Sequence, residues 1–376
     1  MSMWSIFRTR LMLTEIATPA FLVDRTIVQR NCARMRDKAL ASGVVFRPHV
    51  KTHKAVEIGR LQHGGATGPI TVSTLAEAEV FADGGFRDIT YAVPIAPAPQ
   101  KLARAAALAA RIERLSVVID SEVALRALEE FDFIFDVFLK VDCGYHRAGV
   151  DPGSPDSVRL ARALATSERV RFQGLLTHAG HSYNARDSEE IRRIAAEESG
   201  SLTRFRALLA AEGLGEARRS IGSTPTLAVV DRFSDCDEVR PGNYVFFDAF
   251  QATIGSCTLD DVAVSVLTTV VGSYPDRGSL IVDAGALALS KDLGPNHVDP
   301  EFGYGLVCDL DLKPLPMQIT ALSQEHGKIA ARSTVPVGTR LRILPNHSCL
   351  TAAMYGAYHV LDGGRVVDEW RPVRGW

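Results

Sequence analysis

The chain has 376 residues, 46% of them hydrophobic and 23% charged, with a formal net charge of -2. That length calls for one large domain and a smaller one, and the near-neutral balance provides no field to attract nucleic acid or an anionic membrane. Six cysteines without a CxxC pair argue against a disulfide framework and for a reducing cytoplasm, Met1–Glu15 lacks the pattern of a signal peptide, and no segment approaches the roughly 20 apolar residues of a membrane span.

The early chain alternates short apolar runs with helix-patterned segments. Ala20–Asp24 reads as a strand. Thr26–Ala41 follows as a helix with Val28, Cys32, Met35 and Ala39 on one face, stopped by Gly43. Val44–Val50 is the next strand. Further strands are expected at Ile70–Ser73, Ile89–Val93, Leu115–Asp120, Val137–Asp142 and Phe172–His178, with helical patterns between most of them. Ser188–Ala211 is the longest helix candidate, and short strands follow at Arg219–Gly222 and Glu238–Arg240. Repeated βα units of this number predict an α/β chain with a closed (β/α)8, TIM-like barrel, whose chemistry lies at the carboxyl ends of its strands. An open doubly wound sheet is disfavoured because no GxGxxG turn follows the first strand.

After about Gly255 the pattern changes. Val262–Gly272, Ser279–Asp283, Met317–Ser323, Arg340–Leu344, Tyr358–Leu361 and Arg365–Glu369 are rich in β-branched residues, with turn signals at Asp276-Arg277-Gly278, Gly294-Pro295-Asn296 and Asp362-Gly363-Gly364. The expected division is a barrel at residues 18–255 and a mostly antiparallel β domain at residues 256–376 joined by residues 1–17.

Six segments could carry chemistry. Lys51, in Arg47-Pro48-His49-Val50-Lys51-Thr52-His53-Lys54, ends the second predicted strand; a lysine partly stripped of water near other cations is a Schiff-base nucleophile, and Arg47, His49 and His53 are its sequence neighbours. Arg147, in Asp142-Cys143-Gly144-Tyr145-His146-Arg147, could donate from a buried position to a ring nitrogen or a carboxylate, or simply tie down a loop. His178, His181 and Tyr183 close a later strand and offer acid–base groups or a stacking face. Gly222-Ser223-Thr224-Pro225-Thr226 and Arg240-Pro241-Gly242-Asn243-Tyr244 come where barrels bind phosphate through backbone N–H groups and hydroxyls. His347 and Cys349, two apart in an expected β context, would project to one face and suit Zn²⁺ with positions left open, although an isolated HxC is more often core.

In this order the motifs resemble the D-serine dehydratase and D-threonine aldolase family, alanine-racemase-like enzymes of pyridoxal phosphate, and the resemblance runs from Thr18-Pro19-Ala20 to Arg374-Gly375-Trp376. It implies that Lys51 holds pyridoxal phosphate as a Schiff base and removes the α-proton. It implies that Arg147 faces the pyridine nitrogen, and that Ser223, Thr224, Gly242 and Asn243 bind the phosphate, with His178, Tyr183 and Tyr244 around the cofactor. His347 and Cys349 would hold a divalent metal, zinc first, with manganese or magnesium as alternatives. The implied partners are a D-amino acid substrate and a second copy of the chain in a homodimer. Both a dehydratase giving a 2-oxo acid and ammonia and an aldolase giving glycine and an aldehyde fit. Within the family a His/Cys pair goes with dehydratases and a His/Asp pair with some aldolases, which places D-serine and D-threo-3-hydroxyaspartate first. His178, His181, Glu325 and His326 are lower-ranked candidates to support the site from behind its contacting residues. An amino-acid racemase using Tyr304 or Tyr355, and a pyridoxal-phosphate carrier, are the rival readings.

Overall fold

The structure is a computed structural model and describes residues 11–214, 217–331 and 334–376; the expectation for the first ten residues lies outside them. The chain divides into two compact units, Cys32–Tyr244 with Val373–Trp376, and Val245–Pro372 with the N-terminal residues as far as Asn31.

The first unit holds eight parallel strands: β1 (Val45–Phe46), β2 (Ile70–Val72), β3 (Asp88–Pro94), β4 (Arg114–Ile119), β5 (Phe135–Lys140), β6 (Val170–Leu176), β7 (Arg218–Ile221) and β8 (Glu238–Val239). Their order is β1-β8-β7-β6-β5-β4-β3-β2. The ends of that order are drawn together by the Thr71 N–H, which donates to Pro48 O at 2.9 Å, so the sheet is a nearly closed barrel. Helices follow the strands, and side chains in the βα loops cap them: Thr74, Ser121, Ser154, Asp187 and Ser223 each accept a backbone N–H of the first turn. Part of the barrel interior is polar. Arg47 is buried between β1 and β8, donating to Glu238 at 2.6 Å and to Asp88 at 2.7 Å, and Ser220 donates to the same Glu238 at 2.6 Å.

Ala20–Asp24 forms a strand as expected but does not join the barrel. It lies in the second unit, antiparallel to Val264–Tyr274 and parallel to Tyr358–Asp362. A continuous apolar run shows that a strand is buried on both faces, not which sheet claims it. Val264–Tyr274 also pairs with Ser279–Val282 and Arg340–Leu344, and the circuit of antiparallel strands closes through Gly327–Ala330, Pro314–Leu322 and Leu306–Cys308. Gly327–Ala330 and Leu306–Cys308 carry too few residues to stand out in the sequence. Gly363 and Gly364, at φ 57° and 76°, make the two-residue turn between Tyr358–Asp362 and Arg365–Trp370; side chains rarely adopt that left-handed pair. Phe21, Phe246, Tyr355 and Tyr358 form the unit's aromatic core, with ring centroids 5.0–6.2 Å apart. Among the described residues no helix is long and apolar enough to cross a membrane.

Candidate active site

The chain leaves β1 through a short 3-10 turn, Val50–Thr52, that carries half-buried Lys51. His49 caps this turn, its Nδ1 accepting the Lys51 backbone N–H at 3.3 Å. Burial, then the charges of Lys51 and Arg240, push the His49 imidazole well below its ordinary range, so the ring is neutral with Nδ1 unprotonated. The other expected neighbours point elsewhere. Arg47 is locked inside the barrel, and His53 is fully buried, its Nδ1 accepting the Ala55 N–H at 3.2 Å and its Nε2 lying 3.3 Å from Gln62 Oε1.

Cations from distant strands join Lys51 around two imidazoles: Arg240 acts with it on His49, and Lys140 and Arg147 act with it on His178. Lys140 ends β5 with 5% exposure, and burial, then Arg240 and Arg147, lower its ammonium to about 7. Arg240 follows β8, is buried, and donates to Ser220 Oγ and Thr177 O. Sequence does not bring Lys140 and Arg240 together, because residues far apart along the chain meet only when the barrel closes. Arg147 is exposed, which fits the loop-tying alternative rather than the buried donor: its guanidinium stacks on the Tyr145 ring, 4.8 Å from the centroid. Tyr145 in turn lies on Gly180, where a Cβ would come within 2.2 Å of the ring.

His178 lies at the end of β6, and its Nδ1 contacts Gly222 O. A carbonyl only accepts, so Nδ1 carries the hydrogen. Burial, then Lys51, Lys140 and Arg147, drive this imidazole well down, which leaves Nε2 with its lone pair. Half-buried Tyr183 sits in the 3-10 turn Gly180–Asn184. His181, in the same turn, keeps a buried Nδ1 with no hydrogen-bond partner among the described residues.

The two expected phosphate turns are adjacent, but their hydroxyls are already engaged. Ser223 caps Thr224–Val229, and Thr224 Oγ1 accepts the N–H groups of Gly242 at 3.2 Å and Tyr244 at 3.1 Å. Glu198, buried on the helix Ser188–Ala211, braces them: its carboxylate accepts from Ala179 N at 2.9 Å, Gly222 N at 3.1 Å and Thr226 Oγ1 at 3.1 Å. Its role escaped the sequence because a glutamate within a charged helix looks solvated. Gly242 packs on His49, where a Cβ would meet the His49 Cβ at 3.2 Å. Asn243 is buried beside it. The Tyr244 ring cannot face a cofactor here: it is fully buried against Phe46, at 6.2 Å, and burial pushes its phenol well up. Lysines 51 and 140 and arginines 147 and 240, set around two neutral imidazoles, suit an anionic cofactor, and no carboxylate is ion-paired with Lys140 among the described residues. The group fits pyridoxal phosphate.

In the second unit His347 and Cys349 converge, within hydrogen-bonding reach of one another. The reason is not strand alternation. Arg340–Leu344 ends before them, Pro345-Asn346 breaks the strand, and His347 is the cap of a short helix, Ser348–Ala353, so Cys349 lies in its first turn. Two carboxylates hold this segment. Asp292 Oδ2 is 3.0 Å from His347 Nδ1, and Asp248 Oδ2 accepts the Ser348 N–H at 3.0 Å. Burial opposes charge on His347, but Asp292, Cys349 and Asp248 outweigh it and push the imidazole well up. Imidazole plus thiol suits zinc. Among the described residues no set of three or more His, Cys, Asp and Glu groups is placed to hold a metal. Glu325 and His326, candidates to support the site, lie exposed in the turn between Pro314–Leu322 and Gly327–Ala330. Tyr355, a rival racemase base, donates to Ala288 O at 3.1 Å, and burial raises its phenol far out of a base's range.

Comparison with known proteins adds the family. Residues 23–249 match the alanine racemase N-terminal domain, and residues 263–361 match a serine dehydratase domain. A D-threo-3-hydroxyaspartate dehydratase of Delftia sp. (strain HT23) is 40% identical over 97% of this chain and 99% of its own. Its solved structure superposes with a TM-score of 0.91, covering 97% of this chain and 100% of that one. A D-serine dehydratase of Dictyostelium discoideum is 37% identical over 97% of this chain and 98% of its own. A cysteine-to-alanine variant of a D-threo-3-hydroxyaspartate dehydratase, solved in the metal-free form, has a TM-score of 0.90 at 39% identity and covers 98% of this chain and 100% of that one.

Proposed function

The chain belongs to the alanine-racemase-like D-serine dehydratase family, and from that premise we propose that it is a pyridoxal-phosphate- and metal-dependent lyase that dehydrates D-β-hydroxy amino acids, D-threo-3-hydroxyaspartate and D-serine first, to a 2-oxo acid and ammonia. The convergence of His347 and Cys349 carries this reading, because a donor pair with open positions suits elimination of a hydroxyl and gives a racemase nothing.

Pyridoxal phosphate, when bound, supplies the electron sink for charge left at Cα. Lys51 Nζ would hold it and would be the base that takes the Cα proton. The N–H groups at Ser223, Thr224 and Asn243 would bind the phosphate, with Gly242 holding the second turn against Thr224 and Glu198 keeping the first turn in place. Arg147, released from Tyr145, would reach the pyridine nitrogen. An arginine holds its protons, so that nitrogen would stay unprotonated. His178 Nε2 and Tyr183 would line the cofactor, whereas Tyr244 contributes its backbone alone. A divalent metal, zinc first, supplies a Lewis acid for the β-hydroxyl. His347 and Cys349 would hold it. The reading also includes a homodimer in the cytoplasm.

The test is a product assay on zinc-loaded protein given D-serine, D-threonine and D-threo-3-hydroxyaspartate separately, with an EDTA-treated control. EDTA-sensitive 2-oxo acid and ammonia are expected. Glycine and acetaldehyde from D-threonine would make the enzyme an aldolase. Lys51→Ala should lose both the activity and the visible absorption of the lysine-bound cofactor; a variant that keeps the band would show that another lysine holds it.

A further inference from the structure

We propose that Asp292 positions the metal-binding histidine: its carboxylate holds His347 in the one tautomer that offers Nε2 to the metal, and it is not itself a ligand. The proposal rests on the reading of His347 and Cys349 as the donor pair.

Asp292 Oδ2 lies 3.0 Å from His347 Nδ1. A ligating imidazole is neutral and gives one ring nitrogen to the metal. Its other nitrogen then carries the hydrogen and needs an acceptor, which a carboxylate supplies. With Nδ1 committed to Asp292, coordination is left to Nε2. The two nitrogens point away from each other across the ring, so a carboxylate docked at Nδ1 sits behind the histidine relative to a metal on Nε2. Its second oxygen is also engaged, accepting the Gly294 N–H at 2.7 Å.

The carboxylate is held independently of any metal. Asn346, the residue before His347, donates through Nδ2 to Asp292 O at 2.9 Å and to Gly303 O at 2.8 Å. The histidine's own backbone is thereby tied to the loop that carries its partner. The Asp292 N–H donates to Ser290 Oγ at 3.2 Å, and Ser290 sits at φ 67°, a left-handed conformation that a serine keeps only where its surroundings impose it. From the opposite side Asp248 fixes Ser348, between the two donors, through its N–H at 3.0 Å and its hydroxyl at 3.2 Å. Ring orientation is therefore set before the ion arrives, which spares the ion the entropy of ordering it.

The experiment measures zinc affinity by chelator competition on metal-free, pyridoxal-phosphate-loaded full-length protein, for the parent, Asp292→Ala and Asp292→Asn. Zinc-edge X-ray absorption on the loaded forms counts ligands, and the lysine-bound cofactor band and thermal melting confirm the fold. Asp292→Ala should weaken zinc about 10- to 100-fold, the range for lost histidine orienters. The sulfur and imidazole ligands should remain, at one zinc per chain. Asn keeps an oxygen that accepts from Nδ1, so Asp292→Asn should recover most of the affinity. Unchanged affinity in Asp292→Ala, an oxygen ligand missing from its zinc shell, or an Asn variant as weak as the Ala variant would each overturn the proposal. A parent that takes up no zinc would instead sink the donor-pair reading beneath it, and the proposal with it.

Discussion

A lysine ammonium that has lost its water needs an anion. Lys140 has lost nearly all of it, and its nearest charges, Arg240 and Arg147, are cations. The cost follows from linkage. Its folded-state value of about 7 lies below the ordinary 10.5, so the unfolded chain binds the proton more tightly. Stability lost to Lys140 is therefore absent above that upper value, accumulates as pH falls, and is complete below the lower one. Lys140→Met should raise the thermal midpoint of cofactor-free protein, and by more at about pH 6 than at about pH 9. Melting curves at the two values check it; equal shifts would mean that Lys140 is not depressed. Lys51 was legible in the sequence because its basic neighbours are contiguous. Lys140 was not, since its last-in-strand position becomes a charged pocket only through Arg240, a hundred residues on.

At the scale of elements, the helix Ser188–Ala211 does more than cover the barrel. Glu198 satisfies three donors in two loops at once, including the N–H of Gly222, whose carbonyl receives His178. Glu198→Ala should leave the Ala179 and Gly222 N–H groups buried and unpaired, at about 1–3 kcal/mol for each group, while the Thr226 hydroxyl keeps Ser223 O at 3.3 Å. It should also raise the dissociation constant for pyridoxal phosphate, read by equilibrium dialysis. Glu198→Gln, which keeps one accepting oxygen, should lose less. A variant with parental cofactor affinity would reduce Glu198 to a purely structural brace. The helix itself was read to the residue, because 24 residues of sustained periodicity leave little freedom. The His347–Cys349 pair was found for the wrong reason. Strand alternation and a helix's first turn can both bring residues two apart together, and only the break at Pro345 and the hold of Asp248 on Ser348 decide which one operates.

At the scale of the whole molecule, the helices Ala286–Leu289 and Ser348–Ala353 present Leu287, Leu350 and Met354 to solvent at 51%, 43% and 45% exposure. Large apolar side chains grouped at a candidate metal site fit the covered face of a dimer. Light scattering should return about twice the 40.8 kDa of one chain. Leu350→Glu should shift that mass toward one chain; a parent that runs as a single chain would refute the dimer.

The succession of βα units, the late antiparallel strands, and the candidate segments at Lys51, at Ser223–Thr224 and at Gly242–Asn243 follow from local patterning, since periodicity, turn residues and contiguous motifs are properties of neighbouring residues. Whether Ala20–Asp24 entered the barrel, which cations act on His49 and His178, where the Tyr244 ring points and which carboxylates grip His347 and Ser348 were decided by the tertiary structure alone. Each depends on residues brought together over long separations, from Glu198 to Gly222 at 24 positions to Asp248 and Ser348 at 100. A backbone's own preferences carry no information about which distant group will complete a buried hydrogen bond, and here those bonds shape the site.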